Sequence, residues 1–170
     1  MDVTAAKTRV EPSPQGNQPH SKAWHVLAPG ETRTPRPLNI VGEESLVQVT
    51  PMDSNDGLAL FQATVPPHSG PPLHVHSLED EWFFVLSGEL VFQVDGERHT
   101  VPAGGSVFLT RGVVHTYQNF TTSDAQLLFA TTPGRGFFDF ALEVDGAPPE
   151  AVGAAGAKYG MRILGPPLTA

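Results

Sequence analysis

His74 and His76 stand two residues apart in the run Leu73-His74-Val75-His76, and Glu81 follows five residues after the second. On an extended strand successive side chains alternate, so both imidazoles leave the same face, about 7 Å apart along the chain. That separation lets two rings converge on one ion at ~2.0–2.1 Å. Glu81 comes after the polar turn Ser77-Leu78-Glu79-Asp80, at the start of the next expected strand, where hairpin pairing sets its carboxylate beside the two rings. His115 lies on a later expected strand. Three neutral imidazoles and one carboxylate suit one divalent transition metal (Fe, Mn, Co, Ni, Cu or Zn) better than Mg or Ca. On a six-coordinate ion four protein donors leave two positions open, and open positions permit chemistry. Unconnected surface or core histidines are the alternative reading. The coincidence of the pair, the acid and the later histidine within one strand-rich pattern favours the metal. Glu79 competes with Glu81 as ligand and is otherwise a turn acid or an outer partner of the site.

The elements that must position these residues are short strands. Extended runs are expected at 45–50, 57–65, 73–76, 81–86, 89–94, 97–101, 106–110, 113–119 and 126–131, with turn chemistry between them. Asp95-Gly96 is the strongest hairpin signal. Short strands at regular spacing predict an antiparallel sandwich or barrel. Beyond Pro133 the period changes: Phe137, Phe138, Phe140, Ala141 and Val144 recur as on a helix, and the Ala-rich stretch 149–158 predicts a second one. Three units follow: an N-terminal arm over 1–36, a barrel over 37–132, and C-terminal helices with a closing strand over 133–170. Within the arm, residues 10–19 are polar and carry three prolines, a composition that buries too little apolar surface to order itself, so the arm is expected to be disordered or loosely attached.

Alternation also nominates pocket residues. Phe83 and Val85 share the face of Glu81 and would make an apolar wall, with plain core packing as the other reading. Tyr117 and Asn119 share the face of His115. Tyr117 is a candidate catalytic group, and Asn119 is either pocket wall or a structural amide that pins a loop. Phe137 and Phe138 either cover the barrel mouth or pack the helix onto the sheet, and packing is favoured.

Bulk properties close off other functions. The 170 residues suffice for one domain, and the formal charge of −8 with no Lys/Arg cluster argues against nucleic acid. No cysteine is present, which removes disulfides, thiolate metal sites and thiol catalysis. The longest apolar run, Trp82 to Leu86, is too short for a membrane span, and no signal-peptide pattern opens the chain, so a cytoplasmic protein is expected. There is no Gly-x-Ser-x-Gly elbow, and Gly134-Arg135-Gly136 lacks the third glycine of a nucleotide loop.

The ligand pattern resembles the two signature motifs of the cupin superfamily. The first reads His74-Val75-His76, four residues, Glu81, six residues, Gly88, with His68 where a leading glycine is usual. The second reads Gly104, five residues, Thr110-Arg111-Gly112, two residues, His115, three residues, Asn119, with Thr110 in place of a proline. The resemblance covers roughly residues 38 to 132. It implies an all-β double-stranded β-helix, or jelly-roll barrel, here with a short C-terminal helical extension, and it implies a homodimer. The stretches Pro71 to His76, Thr132 to Phe138 and Tyr159 to Leu168 look like those of small monocupins similar to quercetin (flavonol) dioxygenases. That likeness implies an oxidoreductase that brings O2 and a small apolar, hydroxylated aromatic substrate together, with Glu81 as base. A redox-neutral isomerase, cyclase or lyase and a non-catalytic binding cupin are the alternatives, because cupins host many chemistries.

Overall fold

The computed structural model describes residues 24–170, and residues 1–23 of the expected arm lie outside it. Residues 24–36 form no strand or helix, yet they are tied to the barrel more firmly than their composition suggests. Arg33 N donates to Val47 O at 2.8 Å, Val47 N donates to Thr32 Oγ1 at 2.9 Å, and Arg33 pairs with Asp53 at 2.7 Å. The backbone polarity of this segment is met by a strand edge, which local composition cannot reveal.

Eleven strands and two helices follow among the described residues. One sheet has six strands: β1 (Leu38–Ile40), β2 (Glu43–Val49), β3 (Ala59–Val65), β10 (Ala125–Thr132), β5 (Asp80–Ser87) and β8 (Ser106–Leu109), in that order. The other has five: β11 (Met161–Gly165), β4 (Leu73–His76), β9 (His115–Gln118), β6 (Glu89–Val94) and β7 (Glu97–Pro102). Every pairing is antiparallel. The chain crosses from one sheet to the other between β5 and β6, as a jelly roll requires. Inward positions alternate along each strand; in β3 every second residue from Ala59 to Val65 is buried. The interior is aromatic, with Phe61 stacked on Phe129 at 4.8 Å between centroids and Phe83 edge-on to Phe92 at 5.4 Å.

The hairpin at Asp95-Gly96 joins β6 and β7 with Val94 opposite Glu97, and both turn residues have positive φ, 48° and 90°. This is the mirror-image turn that the Asp-Gly pair favours. A second such turn joins β1 to β2 through Val41 (φ 54°) and Gly42 (φ 89°), with Ile40 opposite Glu43. A β-branched residue pays a steric cost in that conformation. The sequence therefore gave no turn signal here, and β1 was not expected.

Helix α1 (Arg135–Glu143) and helix α2 (Pro149–Lys158) lie where the periodicity placed them, and β11 then returns to pair with β4. Phe137 and Phe138 are both buried, so packing is part of their role. No described helix is long and apolar enough to cross a membrane.

Candidate metal centre and pocket

The two sheets bring four donors together. His74 sits opposite His115 in the β4–β9 pair, while Glu81 projects from β5 in the facing sheet. One ligand atom from each of His74, His76, Glu81 and His115 falls within 4.8 Å of the others, and all four side chains are buried. Glu81 Oε2 lies 2.8 Å from His115 Nε2, and Glu81 Oε1 lies 3.6 Å from His76 Nε2. Donors that share an ion at ~2.1 Å stand ~3 Å apart when neighbouring, a spacing that the Glu81–His115 pair has and that the others approach.

The outward nitrogens explain why the inward ones are free to ligate. His74 Nδ1 is 2.7 Å from Pro72 O, and His115 Nδ1 is 3.1 Å from Val113 O. A carbonyl can only accept, so Nδ1 carries the proton and Nε2 presents a lone pair. His76 Nε2, His115 Nε2 and Glu81 Oε2 are buried without a hydrogen-bond partner. Lone pairs facing one another in a dry space are costly unless a cation joins them. Burial drives the His74 imidazole down to about 3, with the charge of His115 adding to it, so it stays neutral. Burial by itself would raise Glu81, but His76, His115 and His74 together hold the carboxyl down to about 2, so it stays ionised. Burial lowers the His115 imidazole, but the hydrogen bond and charge of Glu81 outweigh it and raise it, so a metal ion entering the cluster would take the place of a proton there. The donor set fits such an ion.

Glu79 is not among these donors. Its Oε2 lies 3.4 Å from His76 Nδ1, on the side of the ring away from the cluster, and the residue is buried. A Cβ at Gly136 would collide with Glu79 Oε1, so glycine at the start of α1 lets the helix close over this acid. Glu79 thus stands behind His76 as a charged neighbour, with Oε2 making no hydrogen bond, and its carboxylate is placed to support His76 as a donor once a metal is bound. Glu79→Gln is expected to weaken metal affinity by about 10- to 100-fold without unfolding the barrel, as measured by competition with a chromophoric chelator.

A pocket adjoins the cluster through His74 and Glu81. Its wall is mostly apolar: Phe83, Phe129, Phe137, Phe140, Met161 and Ile163 all contribute. Phe137 is both packing and pocket wall, edge-on to Phe61 at 5.4 Å and to Phe129 at 5.5 Å. Tyr117 also lines the pocket, but its hydroxyl donates to Glu43 Oε2 at 2.7 Å. Burial pushes its ionisation well above the usual value, with the Glu43 carboxylate adding to the effect. Tyr117 is thus a donor and not a base.

Two of the expected pocket residues lie elsewhere. Val85 is buried opposite Leu127, two residues and ~7 Å farther along β5 than Phe83, within the core. Alternation gave its face correctly but not its depth. Asn119 is fully buried and pins the loop after β9: its Nδ2 donates to Val65 O and Ser123 O at 2.9 and 2.8 Å, and its Oδ1 accepts from Thr121 N at 2.9 Å. All its polar capacity is used in holding the loop.

Glu43 is the pocket residue that the sequence reading missed. It faces inward with Ser45 and Val47, while Glu44 faces out. Burial raises its carboxyl to about 7, and the bond from Tyr117 pulls it only partly back. The inward alternation of Glu43, Ser45 and Val47 was visible, but an acid at an inward position reads as a strand edge until its partner is known.

Residues 61–131 match the family model described as the cupin domain. Over 60 residues the chain is 30% identical to the tetracenomycin polyketide synthase protein TcmJ of Streptomyces glaucescens, a match that takes in 35% of this chain and 40% of that protein. The chain thus spans well under two thirds of that relative. It is 29% identical over 108 residues to an oxalate-binding protein of Thermotoga maritima, covering 61% of this chain and 89% of that one. The crystal structure of a predicted oxalate decarboxylase from Thermotoga maritima superposes with a TM-score of 0.51 at 25% identity, over 53% of this chain and 79% of that one. The two-sheet barrel that brings His74, His76, Glu81 and His115 together has the cupin fold, and its central stretch matches the cupin domain.

Proposed function

We propose that this cupin is a metal-dependent enzyme acting on a small, apolar, hydroxylated aromatic molecule, and that its reaction is a dioxygenation. The observation that carries the reading is the pocket wall: it is built from phenylalanine and aliphatic side chains beside an ionised carboxylate of the donor cluster, and among the described residues no lysine or arginine lines it. Beyond the ion itself, the described wall offers no cationic group for the second charged end of a sugar phosphate. A flat aromatic ring finds its natural partners in Phe83, Phe129 and Phe137. The relative named for polyketide synthesis supports an oxygen-bearing carbon skeleton as substrate.

A divalent ion held by His74, His76, Glu81 and His115 would acidify a substrate hydroxyl and, if redox-active, allow electrons to pass between substrate and O2. The chain supplies the rest. Glu81 stands where a hydroxyl entering the cluster would meet its carboxylate, and it takes that proton. The phenylalanine wall holds the ring and keeps water from the resulting anion.

A redox-neutral cyclisation or isomerisation is the second reading, favoured by Glu43, a second buried acid in the same pocket that could return a proton elsewhere on the substrate. Oxygen consumption separates the two. Metal-loaded protein given a panel of flavonols, naphthols and catechols is expected to take up O2 in proportion to substrate consumed. Full turnover under strict anaerobiosis would establish the redox-neutral reading instead.

A further inference from the structure

The wall opposite the metal ligands contains a charged group that the reading above does not require. Glu43 enters the pocket from β2 of the six-stranded sheet, and Tyr117 reaches it from β9 of the five-stranded sheet, so the 2.7 Å bond between them spans the barrel interior. That bond satisfies Oε2 alone. Oε1 is buried and has no partner. Among the described residues neither lysine nor arginine lines the pocket beside it; the titratable groups sharing that wall are Tyr117, His74 and Glu81. A carboxyl buried among apolar side chains with one oxygen unmet costs stability, so a fold that keeps one without need is improbable on physical grounds. The backbone just before it carries a second cost. Val41, a β-branched residue at φ 54°, makes the turn that delivers Glu43 and itself lines the pocket. Two local penalties two residues apart beside a cavity, at Val41 and Glu43, are the pattern of a binding group held in place by the surrounding structure.

We infer that Glu43 is the second polar anchor of this pocket, accepting a hydrogen bond on Oε1 from a hydroxyl of the aromatic substrate remote from the one that meets the metal ligands. The inference rests on the reading of the pocket as a site for hydroxylated aromatics. Tyr117 stands two residues from His115 on the same strand face, a step of ~7 Å, and Glu43 lies beyond its hydroxyl. The two anchors therefore suit a fused bicyclic or larger ring system with oxygen at both ends, and a single phenol ring reaches only one. Tyr117 is the positioning residue: its donated bond fixes Oε2 and leaves Oε1 for the ligand.

The test is binding to the full chain loaded with Zn(II), where no oxygen chemistry intervenes. The probes are 2-naphthol, with one hydroxyl, and 2,6-dihydroxynaphthalene, with two, titrated calorimetrically at pH 8. Wild-type protein is expected to bind the diol at least about tenfold more tightly than the naphthol. Glu43→Gln is expected to weaken the diol by about 10- to 100-fold, the range for a hydrogen bond to a charged group, and to leave the naphthol within about twofold. Glu43→Met, apolar and of similar length, should show the same selective loss with an unchanged or higher melting temperature, and it serves if the glutamine variant folds poorly. Equal weakening of both probes would reduce Glu43 to a shaping residue and overturn the inference, as would an unchanged diol affinity. A wild-type protein that binds neither probe would overturn the aromatic reading itself, and the role of Glu43 with it.

Discussion

Replacing His115 by alanine is expected to strip the protein of its metal while the barrel stays folded. His115 provides one of four converging donors, and its Nε2 is 2.8 Å from Glu81 Oε2. Its loss removes a donor and leaves the carboxylate without a neighbour that fixes it. The loss of an outer-shell partner already costs about 10- to 100-fold in affinity, and a direct ligand should cost at least about 100-fold. Elemental analysis after gel filtration should fall from about one ion per chain to a small fraction. His76→Ala should behave alike. His99→Ala is the control, since His99 sits exposed on β7 away from the cluster. The core of Phe61, Phe83, Phe92 and Phe129 is untouched by these changes, so far-ultraviolet circular dichroism should keep its β signature. Metal bound means stability added, so the alanine variants should also melt earlier than metal-loaded wild type and close to wild type stripped by a chelator. Full occupancy in both histidine variants would remove the basis for the site.

Glu81→Gln separates holding a metal from doing chemistry. Glutamine keeps the size and shape of the side chain but cannot accept a substrate proton, and three imidazoles remain to hold an ion. Loss of a general base typically costs 10²–10⁴ in rate, so turnover per bound metal should fall by about that factor. Metal content should fall far less. The comparison must be made per bound ion, with occupancy measured on the same sample. Wild-type rates per ion would leave Glu81 as a ligand alone, and the base would then have to be sought at Glu43, since Tyr117 is held protonated by burial and by its bond to Glu43.

The ligand quartet was legible in the sequence because two strong local rules coincide there. A two-residue spacing on a strand fixes a shared face, and a short polar turn fixes which neighbouring residue folds back onto it. Nine of the strands and both helices were legible for the same reason, since their turns carry glycine, proline or aspartate and their apolar residues keep a clean period. What escaped was whatever depended on distant segments meeting. The turn at Val41-Gly42 goes against local preference and is held by tertiary structure, so β1 went unseen, and with it the delivery of Glu43. Alternation placed Val85 and Asn119 on inward faces but could not say how deep along the barrel each would lie, nor that the amide of Asn119 would be consumed by Val65, Ser123 and Thr121. The attachment of residues 24–36 along β2 escaped likewise, because a strand edge that accepts a passing chain leaves no trace in that chain's own composition.

The pocket draws on segments that the metal site does not use. All four ligands lie inside residues 61–131, the stretch that carries the family pattern. Much of the wall does not: Val41 and Glu43 arrive from before it, and Phe137, Phe140, Met161 and Ile163 from after it. The wall is thus shared between the central stretch, which gives Phe83, Tyr117 and Phe129, and two flanks that meet it only when folded. Such a division lets the flanks drift, and the range of accepted molecules with them, under little constraint from the chemistry they serve. A match confined to the central stretch therefore describes the metal ligands completely and the pocket wall only in part.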